Sequence, residues 1–211
     1  MKDQLIQALE WRYAAKKYDP IYQLSAYDKE TIERVLQLTP SSYGLQPLHF
    51  IWIEDGALRE QVKTLAWNQQ QIVDAAAVLV LCAKNDLDTT YLDQHADNMR
   101  DTRSMAEDQI QGFRNHLHAA IGKKAAADIK SWNGKQAYIA LGQLLTACAL
   151  LELDATPMEG FDPAGLDQLL DLHAQGLHSV LLCPIGKRAV DDHYQTLKKV
   201  RRPKKLLFST R

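Results

Sequence analysis

Cysteine is scarce in this chain: Cys82, Cys148 and Cys183 each lie inside an apolar run and form no C-x-x-C pair. An odd, dispersed set excludes a disulfide framework and fits buried, reduced thiols in a reducing compartment. Apolar runs are short as well, the longest being Ala75–Ala83, against the roughly 20 residues that a membrane helix needs. The opening "MKDQLIQALEWRYAAKKYD" lacks the unbroken apolar stretch of a secretory leader, so the expected location is cytoplasmic, with no membrane partner. No G-x-G-x-x-G follows a strand, no Walker loop surrounds "PIGKR", and G-x-S-x-G and H-E-x-x-H are missing. These absences set aside Rossmann dehydrogenases, P-loop enzymes and zincins.

Acidic residues are missing from one place in particular. "LKKVRRPKKLLFSTR", Leu197–Arg211, holds seven of the 25 Lys and Arg residues and no Asp or Glu, leaving 18 basic against 26 acidic residues elsewhere. The tail is therefore out of character with its own protein. It reads as a nucleic-acid arm, a solvated terminus, or a seat for one compact polyanion. Aromatic interleaving and a nucleic-acid motif are both lacking, which argues against the first. The remaining composition, 46% hydrophobic and 24% charged over 211 residues, is that of a packed domain spanning residues 1–211, with no repeat or linker.

Leu5, Ile6, Leu9 and Trp11 recur at helical spacing, as do Ile32, Val35, Leu36 and Leu38 after Asp28, a plausible cap. "TPSSYGLQP", Thr39–Pro47, is a loop of turn formers that gives way to the strand-like "LHFIWIE". "AAAVLVLCAK" and "HSVLLCPIGK" predict two further strands, the first buried on both faces. Trp132–Leu153 is apolar almost all round and dotted with Gly134, Ala137, Ala140, Gly142 and Ala147, predicting a fully buried central or interface helix. Pro163 after Asp162 opens a short helix through Leu172, and Leu206–Phe208 is expected to add a last strand.

Asp93, Asp97 and Asp101 share a helical stripe beside His95, which reads as a solvated face with Arg100 and Arg103 rather than a metal cage. His116 and His118, two apart on a helix, point away from each other and read as surface residues. Ser41 and Ser42 have no His and Asp partners in sequence, so their hydroxyls suit ligand binding better than nucleophilic attack. Arg12, Lys16 and Lys17 form a second basic cluster at the end of the first helix.

Four segments together resemble the oxygen-insensitive NAD(P)H nitroreductases, an FMN-dependent family that includes dihydropteridine reductases. They are "RYAAKKYD" (Arg12–Asp19), "TPSSYGLQPLHF" (Thr39–Phe50), "ATPMEGFD" (Ala155–Asp162) and "TLKKVRRP" (Thr196–Pro203), and they run from the first helix to the tail. The resemblance implies an α+β fold with a mixed central sheet flanked by helices. It also implies an intertwined homodimer whose C-terminal segments cross to the partner's sheet. It assigns FMN contacts to Arg12, Tyr13, Ala14 and Lys16, and the FMN phosphate to Lys199 and Arg201. Pro40, Ser41, Ser42 and Gly44, with Gln136 and Ile139, are assigned to the flavin from the partner side. Asn68 and Gln71 fall at the pyrimidine ring, and Pro157, Met158, Glu159 and Gly160 over the other face, where the Glu159 N–H would donate to flavin N5. A compact phosphate of nearly two negative charges is the polyanion that the tail's Lys and Arg would suit.

The implied reaction is ping-pong reduction of nitroaromatics, quinones or pterins by NADH or NADPH. The alternative to this reading is an FMN carrier or a flavin-modifying relative without nicotinamide turnover. No side chain is named as acid or base; Lys16 would stabilise the reduced flavin's negative charge, and Phe113 is assigned with Lys16 to the substrate side. Three positions depart from the family pattern: Ala14 where Ser is frequent, Gly44 where Asn is frequent, and Gln71 where Lys is common. A neutral amide at residue 71 cannot offset the charge that appears on reduction. Gln71→Lys is therefore expected to raise the two-electron potential of bound FMN by on the order of several tens of millivolts, where about 30 mV equals 1.4 kcal/mol. A redox titration with no upward shift, FMN still bound, would show that residue 71 does not face the ring.

Overall fold

In the computed structural model, which describes all 211 residues, the chain alternates helices with four strands. The order is α1 (Lys2–Trp11), α2 (Ala26–Gln37), β1 (Leu48–Ile53), α3 (Gly56–Leu65), α4 (Gln71–Asp74), β2 (Ala77–Lys84), α5 (Thr89–Arg103), α6 (Glu107–Ile121), α7 (Ala126–Leu150), β3 (Asp154–Ala155), α8 (Pro163–Leu169) and β4 (Leu177–Gly186). Local chemistry sets the boundaries. Ser25, not Asp28, caps α2, its hydroxyl accepting from the Asp28 N–H while donating to the Asp28 carboxylate. Asp162 caps α8 ahead of Pro163, as expected, although the helix ends at Leu169 and Leu172 is buried in the following turn.

The strands lie in the order β1-β2-β4-β3, with every pairing antiparallel. β2 is the central strand, and seven of its eight residues are buried, which its unbroken apolar run requires. Leu79, Leu81, Cys183 and Ile185 face Ile32 and Leu36 of α2 and the Ala137–Cys148 stripe of α7. On the other side Val78, Val80, Cys82 and Leu182 meet Val62 of α3, Ile72 of α4 and Leu166 of α8. Helices on both faces of a four-stranded sheet make the architecture α+β. A third cluster, Leu45, Leu87, Leu92, Leu117, Ile121 and Ile129, holds the α5–α6 hairpin against the start of α7.

Three expectations are corrected here. The sheet is antiparallel rather than mixed within the chain, because Leu206–Phe208 pairs with no strand of its own chain. Leu206 instead ends a 3-10 turn at Lys204–Leu206 that Leu207 and Phe208 follow, and all three are exposed. The long helix begins at Ala126 and stops at Leu150, because Glu152 takes a left-handed φ of 55° and Asp154 enters β3. Nor is it buried all round: Tyr138 and Ile139 are each 46% exposed and Leu150 53%. No helix is long and apolar enough to cross a membrane.

One carboxylate fastens the segment after α1 to the segment after β4. Asp192, 1% exposed, accepts from the Lys16 N–H at 2.7 Å, the Lys17 N–H at 3.2 Å and the Tyr13 hydroxyl at 2.9 Å through Oδ2, and from the Tyr194 N–H at 3.1 Å through Oδ1. Burial alone would raise the Asp192 pKa, but these donors outweigh it and hold the group below its ordinary 3.8. The stabilisation is thus complete above about 3.8 and fades as pH falls through the lowered native value. Asp192→Ala should cost about 1–3 kcal/mol near neutral pH, since several partly buried donors lose their acceptor, and the deficit should narrow below pH 4. Denaturant titrations of both proteins across that range check it.

Candidate functional site

The tail's charge finds its setting at the end of α1. Arg12 leaves the helix in an extended conformation, and Lys199 donates its ammonium to the Arg12 carbonyl. Burial first, and then Arg201, lower the Arg12 pKa; burial, then Arg12, Arg201 and Arg188, lower that of Lys199. Arg12, Lys199 and Arg201 make no ion pair. The nearby buried carboxylate, Asp154, is already committed to Arg188, which it meets at 2.6 Å through Nη2 and at 3.0 Å through Nε. The Arg188 guanidinium also lies over the rings of Trp11 and Tyr13, 4.0 and 4.4 Å from their centroids. With Asp154 neutralised, the remaining cations repel one another in a partly desolvated cluster, the electrostatic form of an anion site.

The turn Pro157–Gly160 is stitched to this cluster. Thr156 donates to the Ala15 carbonyl at 3.0 Å and shares a 2.8 Å contact with the Tyr18 hydroxyl, while Met158 bridges to Leu182 of β4. Gly160 has a packing reason: a Cβ there would lie 2.7 Å from the Trp67 ring. Trp67 and Asn68 are both left-handed, at φ 54° and 56°, and Gln69 donates to the Gly160 carbonyl at 3.0 Å. The Glu159 N–H makes no hydrogen bond within the chain, so a donor stands free at the turn. The Glu159 carboxylate accepts from the Tyr138 hydroxyl, and that bond, with burial, pushes the Tyr138 pKa up to about 12. Gln71 opens α4 at 8% exposure and its carboxamide has no partner; Ala14 is half-buried, and Lys16 and Asn68 are exposed.

The polar loop belongs to a second group. The Ser42 N–H donates to Gln136 Oε1 at 2.9 Å, and the Ser41 hydroxyl accepts from the Gln46 N–H at 2.7 Å. Pro40 is exposed, Gly44 is left-handed at φ 72°, and Ile139 lies further along α7. Phe113 is half-buried on α6, packed on the Leu45 cluster with its ring centroid 6.1 Å from that of His95, so it stands with the loop and not with Lys16. No hydrogen bond, ion pair or ring contact joins the loop to the cationic cluster. The link between them is α7, which carries Gln136 to the loop and Tyr138 to Glu159.

Sequence reasoning missed Asp154, Arg188, Asp192, Tyr138 and Trp67. The one usable signal was "GKRAVDD", charges directly after an apolar strand, but their partners are up to 179 residues away. The Asp93 and Asp97 carboxylates are engaged by Arg114 at 3.3 and 2.9 Å, and the His118 ring by Asp93 at 2.8 Å. His118 is thus half-buried between α5 and α6 rather than a free surface residue, while His116 meets the Tyr43 ring edge-on. The three thiols are buried and unbonded; burial raises Cys82 and Cys148 to about 12 and Cys183 well above its ordinary value, so none is a ready nucleophile.

Comparison with known proteins fits this geometry. The chain is 32% identical over 200 residues to the oxygen-insensitive NAD(P)H nitroreductase of Enterobacter cloacae, covering 91% of this chain and 92% of that one. Its fold matches a nitroreductase-like protein from Streptococcus mutans at a TM-score of 0.85 and 18% identity, over 100% and 99% of the two chains. It also matches a protein from Exiguobacterium sibiricum solved in complex with FMN, at 0.83 and 18%, over 98% and 97%. The sequence model described as the Nitroreductase family matches residues 9–187, and with that match and the shared fold the chain belongs to the nitroreductase family.

Proposed function

We propose that the protein is an FMN-dependent oxidoreductase that uses NADH or NADPH to reduce nitroaromatics, quinones or pterins. The observation that carries the reading is the uncompensated cluster of Arg12, Lys199 and Arg201, joined through residues 13–18 to a turn with a free N–H at Glu159. The donor set fits the group: cations for a phosphate, and a backbone donor and small residues for a flat polar ring system. Family membership and the FMN held by the Exiguobacterium sibiricum protein of the same fold support it. When bound, FMN would accept two electrons from the nicotinamide and pass them on in ping-pong order.

On this reading Lys199 and Arg201 hold the phosphate, and Arg12 reaches the phosphate and ribityl chain. Lys16, exposed and unpaired, stabilises negative charge on the ring system. The free Glu159 N–H would offer a hydrogen bond to the ring system, favouring electron uptake. Asn68 and Gln71 line the pyrimidine side, next to the turn that Trp67 and Gln69 brace against Gly160. Pro40, Ser41, Ser42, Gly44, Gln136 and Ile139, with Phe113, complete the site from a second copy of the chain. Two features favour such a homodimer: α1 buries none of its residues, leaving Leu5, Ile6 and Leu9 exposed, and the tail presents Leu206, Leu207 and Phe208 to solvent. β1 is an edge strand flanked by a groove of about 410 Å³ lined by Leu36, Leu48, Phe50 and Trp52. A partner's tail laid parallel on that edge would give the mixed sheet that one chain lacks.

Lys199→Ala with Arg201→Ala should weaken FMN binding by about two to four orders of magnitude, since each charge-assisted bond contributes roughly 1.5–3 kcal/mol. Lys204→Ala with Lys205→Ala, further along the tail, should change it little. The wild type should carry about one FMN per chain, identified by extraction. Equal losses in the two pairs would mean that the tail acts as a diffuse field, and absence of FMN after reconstitution would sink the reading. Solution scattering of the loaded protein should return a dimer; a flavin-loaded monomer would refute the shared site.

A further inference from the structure

The loop Ser41–Gln46 is held in a costly shape. Tyr43, Gly44 and Gln46 adopt φ of 56°, 72° and 46°, a left-handed region that suits glycine but strains the two larger residues. Such a loop persists only where its surroundings over-determine it. From one side the determinants belong to α2 and α7: Gln46 Nε2 donates to the Gln37 carbonyl at 2.8 Å, and the Ser42 N–H donates to Gln136. The other side is supplied by α5. Tyr91 and His95, four residues apart and so on one helix face, reach across to three carbonyls of the turn: Tyr91 Oη donates to Leu45 O at 2.7 Å and is 3.0 Å from Gln46 O, and His95 Nε2 is 3.1 Å from Tyr43 O. A carbonyl only accepts, so Nε2 carries the proton. Gly44 suits the turn through its φ of 72°, since a Cβ there would make only ordinary contact with His95 Cε1 at 3.5 Å.

We infer that Tyr91 and His95 are positioning residues for the flavin: by fixing the Ser41–Gln46 turn from α5, they set how well the loop meets FMN. The inference rests on the proposed FMN function. It gives the α5–α6 hairpin a stake in cofactor affinity, although neither residue belongs to the cationic cluster or to the Pro157–Gly160 turn.

Hydrogen–deuterium exchange of flavin-free protein and FMN titration, run side by side, test it. Loss of one net hydrogen bond corresponds to about a fivefold change. His95→Ala and Tyr91→Phe should each speed exchange in residues 41–46 by about that factor, leave β2 unchanged, and weaken FMN binding to a similar extent. His95→Gln, whose carboxamide nitrogen falls near the imidazole Nε2 position, should restore both. Exchange and affinity unchanged in His95→Ala and Tyr91→Phe, or His95→Gln as impaired as His95→Ala, would overturn the inference while wild-type FMN binding left the function standing. A wild type that takes up no FMN would overturn both.

Discussion

The site depends on cations gathered faster than the chain neutralises them. Arg12, Lys199, Arg201 and Arg188 converge where the segment after α1 meets the tail, and burial and the neighbouring cations oppose the charge of Arg12 and Lys199. Two buried carboxylates make this tolerable, and they divide the task. Asp154 cancels Arg188, whose guanidinium is further spread over Trp11 and Tyr13. Asp192 meets no cation's head group directly; it accepts backbone N–H bonds and the Tyr13 hydroxyl, fixing the strand of chain from which Arg12 and Lys16 project. The segment that carries Arg12 and Lys16 is therefore fixed in place, and Lys199 is tied to it through the Arg12 carbonyl.

The same frame explains why the halves of the site stay apart within a chain. α7 faces the sheet with Ala137, Ala140 and Leu144, and that packing fixes where its other faces point. Gln136 then meets the Ser42 turn, while Tyr138, two residues on and rotated around the helix, meets Glu159. Ile139 and Leu150 remain uncovered. A helix that serves a loop at one side and a turn at another, with apolar surface left over, suits a site completed across a symmetric interface, as the proposed homodimer requires.

Much of this architecture was legible in the sequence for identifiable reasons. β1, β2 and β4 are dense in β-branched and large apolar residues bounded by turn formers, so runs such as "AAAVLVLCAK" declare themselves. β3 is two residues long and carries Asp154, and no pattern rule finds a strand of that length. The long helix was misjudged at both ends because "AADIKS" is polar yet helical, while the apolar Leu151 and Leu153 lie beyond the last turn. The tail's charge was visible as an anomaly of composition. Its counterparts were not, because Asp192 lies 179 residues from Tyr13 and Asp154 34 from Arg188, distances at which only the folded chain reveals a partner.

The α5–α6 hairpin is fastened differently from the rest. The two faces of the sheet are sealed by apolar clusters, but between α5 and α6 Arg114 reaches Asp93, Asp97 and Glu107, and Arg100 reaches Asp97, Asp101 and Glu107. Exposed ion pairs of this kind are individually weak and are screened by salt, so the α5–α6 pairing rests on a smaller apolar cluster than either face of the sheet. Its small apolar cluster and the Tyr91 and His95 bonds to the loop are what tie it down. The charge stripe of Asp93, Asp97 and Asp101, which in sequence reads as a solvated face beside arginines, thus forms the ion-paired seam of a hairpin that Tyr91 and His95 fasten to the Ser41–Gln46 turn.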